Sequence, residues 1–164
     1  SLNCFLTTKI SFANMIGDIV LKSGGNPDSV LEAIGSDSRV GLKYLNYGFG
    51  YGGPCFPRDN RALAIYASDL NRPAPISLAT DSMNKIHLDF QIEQFTSVSS
   101  IEEQVIIDSV TYKPGTVIIE ESQQLAYAVG IARNGYNVLI REKEAVVKQL
   151  TKTYGDLFTY EIRD

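Results

Sequence analysis

"TSVSSIEEQVIIDSV", residues 96–110, is where the sequence changes its period. Before it, apolar residues recur every three or four positions. Within it, Val105, Ile106 and Ile107 run together, as in a strand covered on both faces. "EQVIIDSV" (103–110) therefore predicts a buried strand. Downstream, helical spacing returns over about 122–134 and stops at Asn134-Gly135. "YNVLIRE" (136–142) predicts a second strand, residues 144–154 a helix and "LFTYEI" (157–162) a third strand. Strand–helix–strand–helix order calls for a parallel sheet with right-handed crossovers. This part is small enough to lack strands and to lean on the rest of the chain.

Upstream the pattern is helical throughout. "NCFLTTKISFANMIGDIVLKS" (3–23) carries Phe5, Leu6, Ile10, Ala13, Ile16 and Val20 at helical spacing, and Gly24-Gly25 stops it. Asn26 is a candidate N-cap, with Pro27 in the first turn of a helix that ends near Gly35. Further helices are expected over 58–70, with Pro57 in the first turn, and over 76–96, after the break at "RPAP" (72–75). The last should turn Ile76, Ala79, Met83, Ile86, Phe90 and Phe95 inward, with His87 beside that stripe as an ordinary satisfied helix histidine. The expected fold is α + α/β: an all-α domain over 1–98, then a small parallel-sheet, Rossmann-like domain over 99–164.

Composition narrows the function. Net charge is −4 with no long basic run, so no nucleic-acid footprint is expected. No apolar stretch is expected to reach membrane-spanning length, and "SLNCFLTTKI" (1–10) lacks a basic leader region, so the expectation is a cytoplasmic chain with no membrane partner. Ser1 opens directly in an amphipathic pattern, as a piece of a longer protein would. Cys4 and Cys55 allow at most one disulfide, and His87 stands alone, so no metal site is expected.

Residues 36–57 hold the chemistry. Gly41, Gly48, Gly50, Gly52 and Gly53 alternate with Tyr44, Tyr47, Phe49 and Tyr51, combining close backbone approach with rigid walls. The stretch ends in "GYGGPCFPRDN" (50–60). Cys55 comes just before Pro57, so its sulfur is expected near the unpaired N–H groups and positive end of a helix, with Arg58 adding positive potential. Asp59 lies one turn on. The alternative is a buried cysteine in a turn, with Asp59 an ordinary first-turn acid; C-x-x-x-D alone does not decide. No histidine stands near Cys55 to act as base, which argues against a cysteine hydrolase.

The segment "GFGYGGPCFPRDNRAL" (48–63) resembles the active-site cysteine motif of the UDP-glucose/GDP-mannose dehydrogenase family. "NCFLTTKISFANMIGDI" (3–19) is similar to that family's long central helix, "DSRVG" (37–41) to its D-x-R-x-G turn and "SMNK" (82–85) to a further helical segment. "VIIDSVTYKPG" (105–115) is similar, more loosely, to the opening of the family's third domain. The resemblance implies an NAD-dependent oxidation of a nucleotide sugar, UDP-glucose first, to its uronic acid. It implies a central dimerisation domain carrying the cysteine, joined to part of a nucleotide-sugar-binding domain, in a homodimer built on the long first helix. Cys55 would be the nucleophile, Asp59 the group that positions water and Asn3 the oxyanion donor. Arg39 would reach the nucleotide sugar of the neighbouring subunit, and the loop from Asn46 through Tyr51 to Gly52 would line the sugar site. Lys113 would stand at the domain junction, and Cys55 with Arg58 would meet NAD, bound mainly by a domain outside this chain. The family's catalytic lysine would precede Ser1, and Lys9 is not its equivalent. Asp108 and Ser109 stand where a glycine is expected, and Glu120 where an arginine contacts the cofactor. Those departures favour, as an alternative, a non-catalytic dimerisation or regulatory module.

Overall fold

The computed structural model describes residues Ser1–Arg163. Four helices open the chain: α1 (Leu2–Lys22), α2 (Pro27–Gly35), α3 (Phe56–Asp69) and α4 (Pro75–Val98). After them come β1 (Val105–Ile107), α5 (Gln123–Arg133), β2 (Val138–Glu142), α6 (Glu144–Tyr154), a 3₁₀ turn (Gly155–Leu157) and β3 (Thr159–Ile162). Helix punctuation follows local chemistry. The Asn26 side chain accepts from Ser29 N–H at 3.1 Å with Pro27 behind it, and Ser122 caps α5 through Leu125 N–H at 3.2 Å.

The chain forms two compact units, one spanning Ser1–His87 and the other beginning at Leu88. The division falls inside α4 rather than at the expected 98/99. The physical reason is that Ile92 and Phe95, on the last turns of α4, pack on the core of the second unit. There Cβ space is so short that a methyl on Gly130 would sit 2.2 Å from Ile92 Cδ1. That core comprises Val110, Leu125, Ile131, Val138, Ile140, Val146, Leu150 and Phe158 around a parallel sheet of order β1-β2-β3. Val105 pairs with Val138 and Leu139 with Thr159. All three strands and both intervening helices stand where the apolar pattern put them.

The first unit departs from the ordinary amphipathic rule. The buried face of α1 is Cys4, Thr7, Ser11, Asn14 and Asp18, at spacings of three and four. Its apolar residues Leu2, Phe5, Phe12, Met15 and Ile19 face outward. On α4 the expected inward residues Ile76 and Ile86 are instead 67% and 55% exposed, while Ser77, Thr80, Asn84 and His87 are buried. Inward polar groups find partners across and along the helices: Thr7 Oγ1 donates to Cys4 O at 2.9 Å and Ser11 Oγ to Thr80 O at 3.2 Å. The expectation about membrane length is also corrected, since α1, 21 residues at mean hydropathy 1.3, is long and apolar enough to cross a membrane by length and composition. Here it packs against α2 and α3 with Asp18 on its buried face.

Candidate functional site

Cys55 sits at the N-cap position of α3 with helical dihedrals (φ −106°, ψ −52°), and Asp59 N–H already donates to its carbonyl at 2.8 Å. The residue is exposed, so the alternative of a buried turn cysteine falls, and both cysteines are free. One part of the expectation needs correcting: the sulfur makes no cap hydrogen bond to the helix N–H groups. It lies beside the positive helix end without being tied to it.

Asp59 joins Cys55 to α1. Its Oδ2 accepts from Asn3 Nδ2 at 2.8 Å, and its backbone carbonyl lies 3.5 Å from Cys4 Sγ. Arg58 turns onto the other carboxylate oxygen, at 3.4 and 3.3 Å, rather than standing free beside the sulfur. The Asn3 amide, and behind it Arg58, holds the Asp59 carboxyl below its ordinary value despite some desolvation, so it stays an ionised acceptor. Asn3 keeps a second amide hydrogen for another acceptor. Asn3, Cys55, Arg58 and Asp59 thus come together at one place, from residues 56 apart in sequence.

The glycine–aromatic loop is held from behind. Asn84 pairs with both sides of the Tyr51 peptide, accepting from N–H and donating to C=O, each at 2.9 Å. Asn60, next to Asp59, donates to Tyr51 Oη at 3.2 Å and to Thr7 Oγ1 at 2.7 Å. Tyr51 is 3% exposed, and burial pushes its hydroxyl well above the usual phenol range. Its ring is therefore a strut behind the loop, while Asn46 is exposed and Gly52 half-buried. Gly53 takes φ +80°, a turn that only glycine makes without strain.

Arg39 stands in a separate turn. Its guanidinium forks onto Asp37 (Nε to Oδ1 3.0 Å, Nη2 to Oδ2 2.6 Å), and Asp37 also accepts Arg39 N–H at 2.9 Å. Lys9 Nζ pins the turn to α1 through the carbonyls of Val40 and Gly41, at 2.9 and 3.1 Å. Lys113 belongs to the second unit, exposed, with Nζ 5.3 Å from the Tyr112 ring centre. Glu120 is exposed ahead of α5.

The sequence reading missed Asn14, Asp18, Asn60 and Asn84 as loop-holding residues. A signal existed: polar residues at 7, 11, 14 and 18 share one face of an otherwise apolar helix.

Known proteins resemble this chain in sequence and in fold. Residues 1–86 match the description of the UDP-glucose/GDP-mannose dehydrogenase family, central domain. The chain is similar to the UDP-glucose 6-dehydrogenase TuaD of Bacillus subtilis, 30% identical over 95% of this chain and 36% of that protein. It is 32% identical to a UDP-glucose 6-dehydrogenase of Rhizobium meliloti, over 83% of this chain and 32% of the relative. It superposes on a UDP-glucose dehydrogenase from Pyrobaculum islandicum with TM-score 0.85 and 29% identity, covering 99% of this chain and 38% of that one. A GDP-mannose dehydrogenase from Pseudomonas aeruginosa gives TM-score 0.60 and 25% identity, over 93% of this chain and 38% of that one. The chain thus spans about a third of the length of these curated relatives.

Proposed function

We propose, for a chain that belongs to the UDP-glucose/GDP-mannose dehydrogenase family, that it is the cysteine-bearing portion of an NAD-dependent nucleotide-sugar 6-dehydrogenase, with UDP-glucose the first substrate to test. The observation that carries this reading is an exposed cysteine at a helix start, one turn from an ionised aspartate that is bonded to an asparagine amide. NAD, when bound, supplies the acceptor for the two hydrides that turn a primary alcohol into an acid. This chain offers the dinucleotide little. Its one G-x-G-x-x-G string, Gly48–Gly53, follows no strand among the described residues and lies in the loop before α3, α5 is capped by its own Ser122, and Glu120 and Glu121 lie just ahead of that helix.

This chain's residues act on the sugar carbon. Cys55 thiolate adds to the aldehyde carbon, forming the C–S bond of a thiohemiacetal, and the carbonyl oxygen becomes an oxyanion. The free Asn3 amide hydrogen faces that developing charge. Transfer of that carbon's hydride to bound NAD would leave a thioester on Cys55. Asp59, anionic and acceptor-only, orients the water whose attack breaks the C–S bond, releasing the carboxylate and restoring the thiol. Arg39 contributes from its separate turn, reaching the pyrophosphate of a ligand in a neighbouring subunit.

The outward apolar face supports, as part of the same proposal, a homodimer. The outward apolar stripe of α1 and the exposed Ile76 of α4 flank a groove lined by Phe12, Met15, Ala79 and Met83, a surface suited to a second copy across a two-fold axis.

The test is oxidation of UDP-glucose and GDP-mannose with NAD by the whole protein. Cys55→Ser should lower kcat by at least about a thousandfold while leaving the fold intact. Undiminished turnover in that variant would remove the sulfur from the mechanism.

A further inference from the structure

His87, 1% exposed on α4, is engaged at both ring nitrogens. Its Nδ1 lies 2.8 and 2.9 Å from the two oxygens of Asp18 on α1. Its Nε2 lies 2.6 Å from the Gly48 carbonyl in the loop. Tyr47 Oη donates to Asp18 Oδ1 at 2.8 Å, and the Tyr47 ring meets the imidazole edge-on at 5.5 Å. At the other end of the same residue, Gly48 N–H donates to Asn14 Oδ1 at 3.1 Å.

The protons follow from the partners. A carbonyl oxygen only accepts, so Nε2 carries a hydrogen. The Nδ1–carboxylate contact needs a second one, since an imidazole lone pair against an ionised carboxylate is repulsive. Both ring nitrogens therefore face acceptors, Asp18 at one end and the Gly48 carbonyl at the other. The titratable groups set against the ring are Asp18 from α1 and Tyr47 from the loop, whose hydroxyl is kept protonated by burial and by Asp18. Asn14 and Gly48 bring no charge, and Lys85 on α4 is engaged with Asp81 at 3.2 Å.

We propose that His87 is a positioning residue: held by Asp18, it fixes the Gly48 carbonyl, and through it the run Gly48–Gly53 that leads into Cys55. The function of that loop as a sugar-site wall rests on the proposed function; the clamp does not. A buried glutamine would not replace this residue alone, because its one amide group cannot donate both to Asp18 and to Gly48 at opposite ends. Asn at 18 with Gln at 87 would rebuild the chain of bonds without charge, amide to amide and amide to carbonyl.

The 164-residue chain has one histidine, which makes the pair directly observable. Nitrogen-15 NMR of the imidazole and amide exchange at Gly48 read the clamp. Both ring nitrogens should report as hydrogen-bond donors. His87→Gln should lower Gly48 protection by about tenfold or more, the loss expected for a broken buried hydrogen bond. The double variant D18N with H87Q should restore it. In the whole enzyme the same single variant should raise KM for the nucleotide sugar more than it lowers kcat, with rescue by the double variant. A ring with one bare nitrogen facing Asp18 or Gly48 at neutral pH, or Gly48 protection indifferent to His87→Gln, would overturn the clamp. Failure of the Cys55→Ser test would leave these exchange measurements unaffected, so the two ideas stand or fall separately.

Discussion

Gly17 offers the sharpest test of how the loop is seated. It lies on α1, and a Cβ there would stand 2.0 Å from Tyr47 Cδ2, 2.4 Å from Cε2 and 2.8 Å from Cγ. These are ring atoms, and the far end of the ring is fixed by the Tyr47–Asp18 hydrogen bond at 2.8 Å. The ring therefore cannot swing aside as a free side-chain tip would. Gly17→Ala gains about 1 kcal/mol of helix preference. Against that, displacing the ring costs the bond to an ionised acceptor, about 1.5–3 kcal/mol, and roughly a further 1 kcal/mol of buried ring surface. The balance is a net destabilisation of about 1–3 kcal/mol. Urea unfolding measures it, with amide exchange at Gly48 reporting on the loop. A second arm fixes the cause: in a Tyr47→Ala background the ring is gone, and Gly17→Ala should become stabilising by about 1 kcal/mol. If Gly17→Ala stabilises the unaltered protein by that amount, the close approach does not hold the loop.

Two other outcomes follow from the site and the outer face. Asn3→Ala should raise the Asp59 carboxyl toward its ordinary value of 3.8, because the Asn3 amide is the main cause lowering it. A carboxyl lower in the folded than in the unfolded state adds stability that is full above the ordinary value and is lost as pH falls through the folded one. Asn3→Ala therefore costs stability at neutral pH and nothing in strong acid. Carbon-13 titration of Asp59 checks this, and an unmoved midpoint would refute it. Phe12→Asp or Ile76→Asp should weaken self-association by at least about a hundredfold, since an unpaired carboxylate would be buried in the proposed interface. Light scattering at micromolar concentration reads it, and a monomeric unaltered protein would end the dimer proposal.

Much of the fold was legible residue by residue. The apolar runs at Val105–Ile107 and Val138–Ile140 mark strands, but β1 is not covered on both faces as expected: it lies at the sheet edge with Ile106 46% exposed, while β2 between its neighbours is the more buried strand. Asn26-Pro27 and Ser122 mark helix starts through their own side chains. The Cys55 motif was legible because its features are local: two prolines, a helix start and an acid one turn on. The His87 reading held as far as it went, since both ring nitrogens are satisfied, but its partners were invisible: Asp18 lies 69 residues away and Gly48 39. Ile76 and Ile86 were misplaced because apolar spacing identifies a face without saying what covers it.

Helix and strand periods, caps and the order of elements are written in neighbouring residues, so the sequence alone determined the α + α/β architecture and the place of Cys55 at a helix start. Which side of α1 and α4 turns inward, and that Asn14, Asp18, Asn84 and His87 grip the loop ahead of the cysteine, depended on the tertiary structure. A polar side chain is stable inside only if a partner arrives from elsewhere in the chain, and that meeting exists only once the helices have packed.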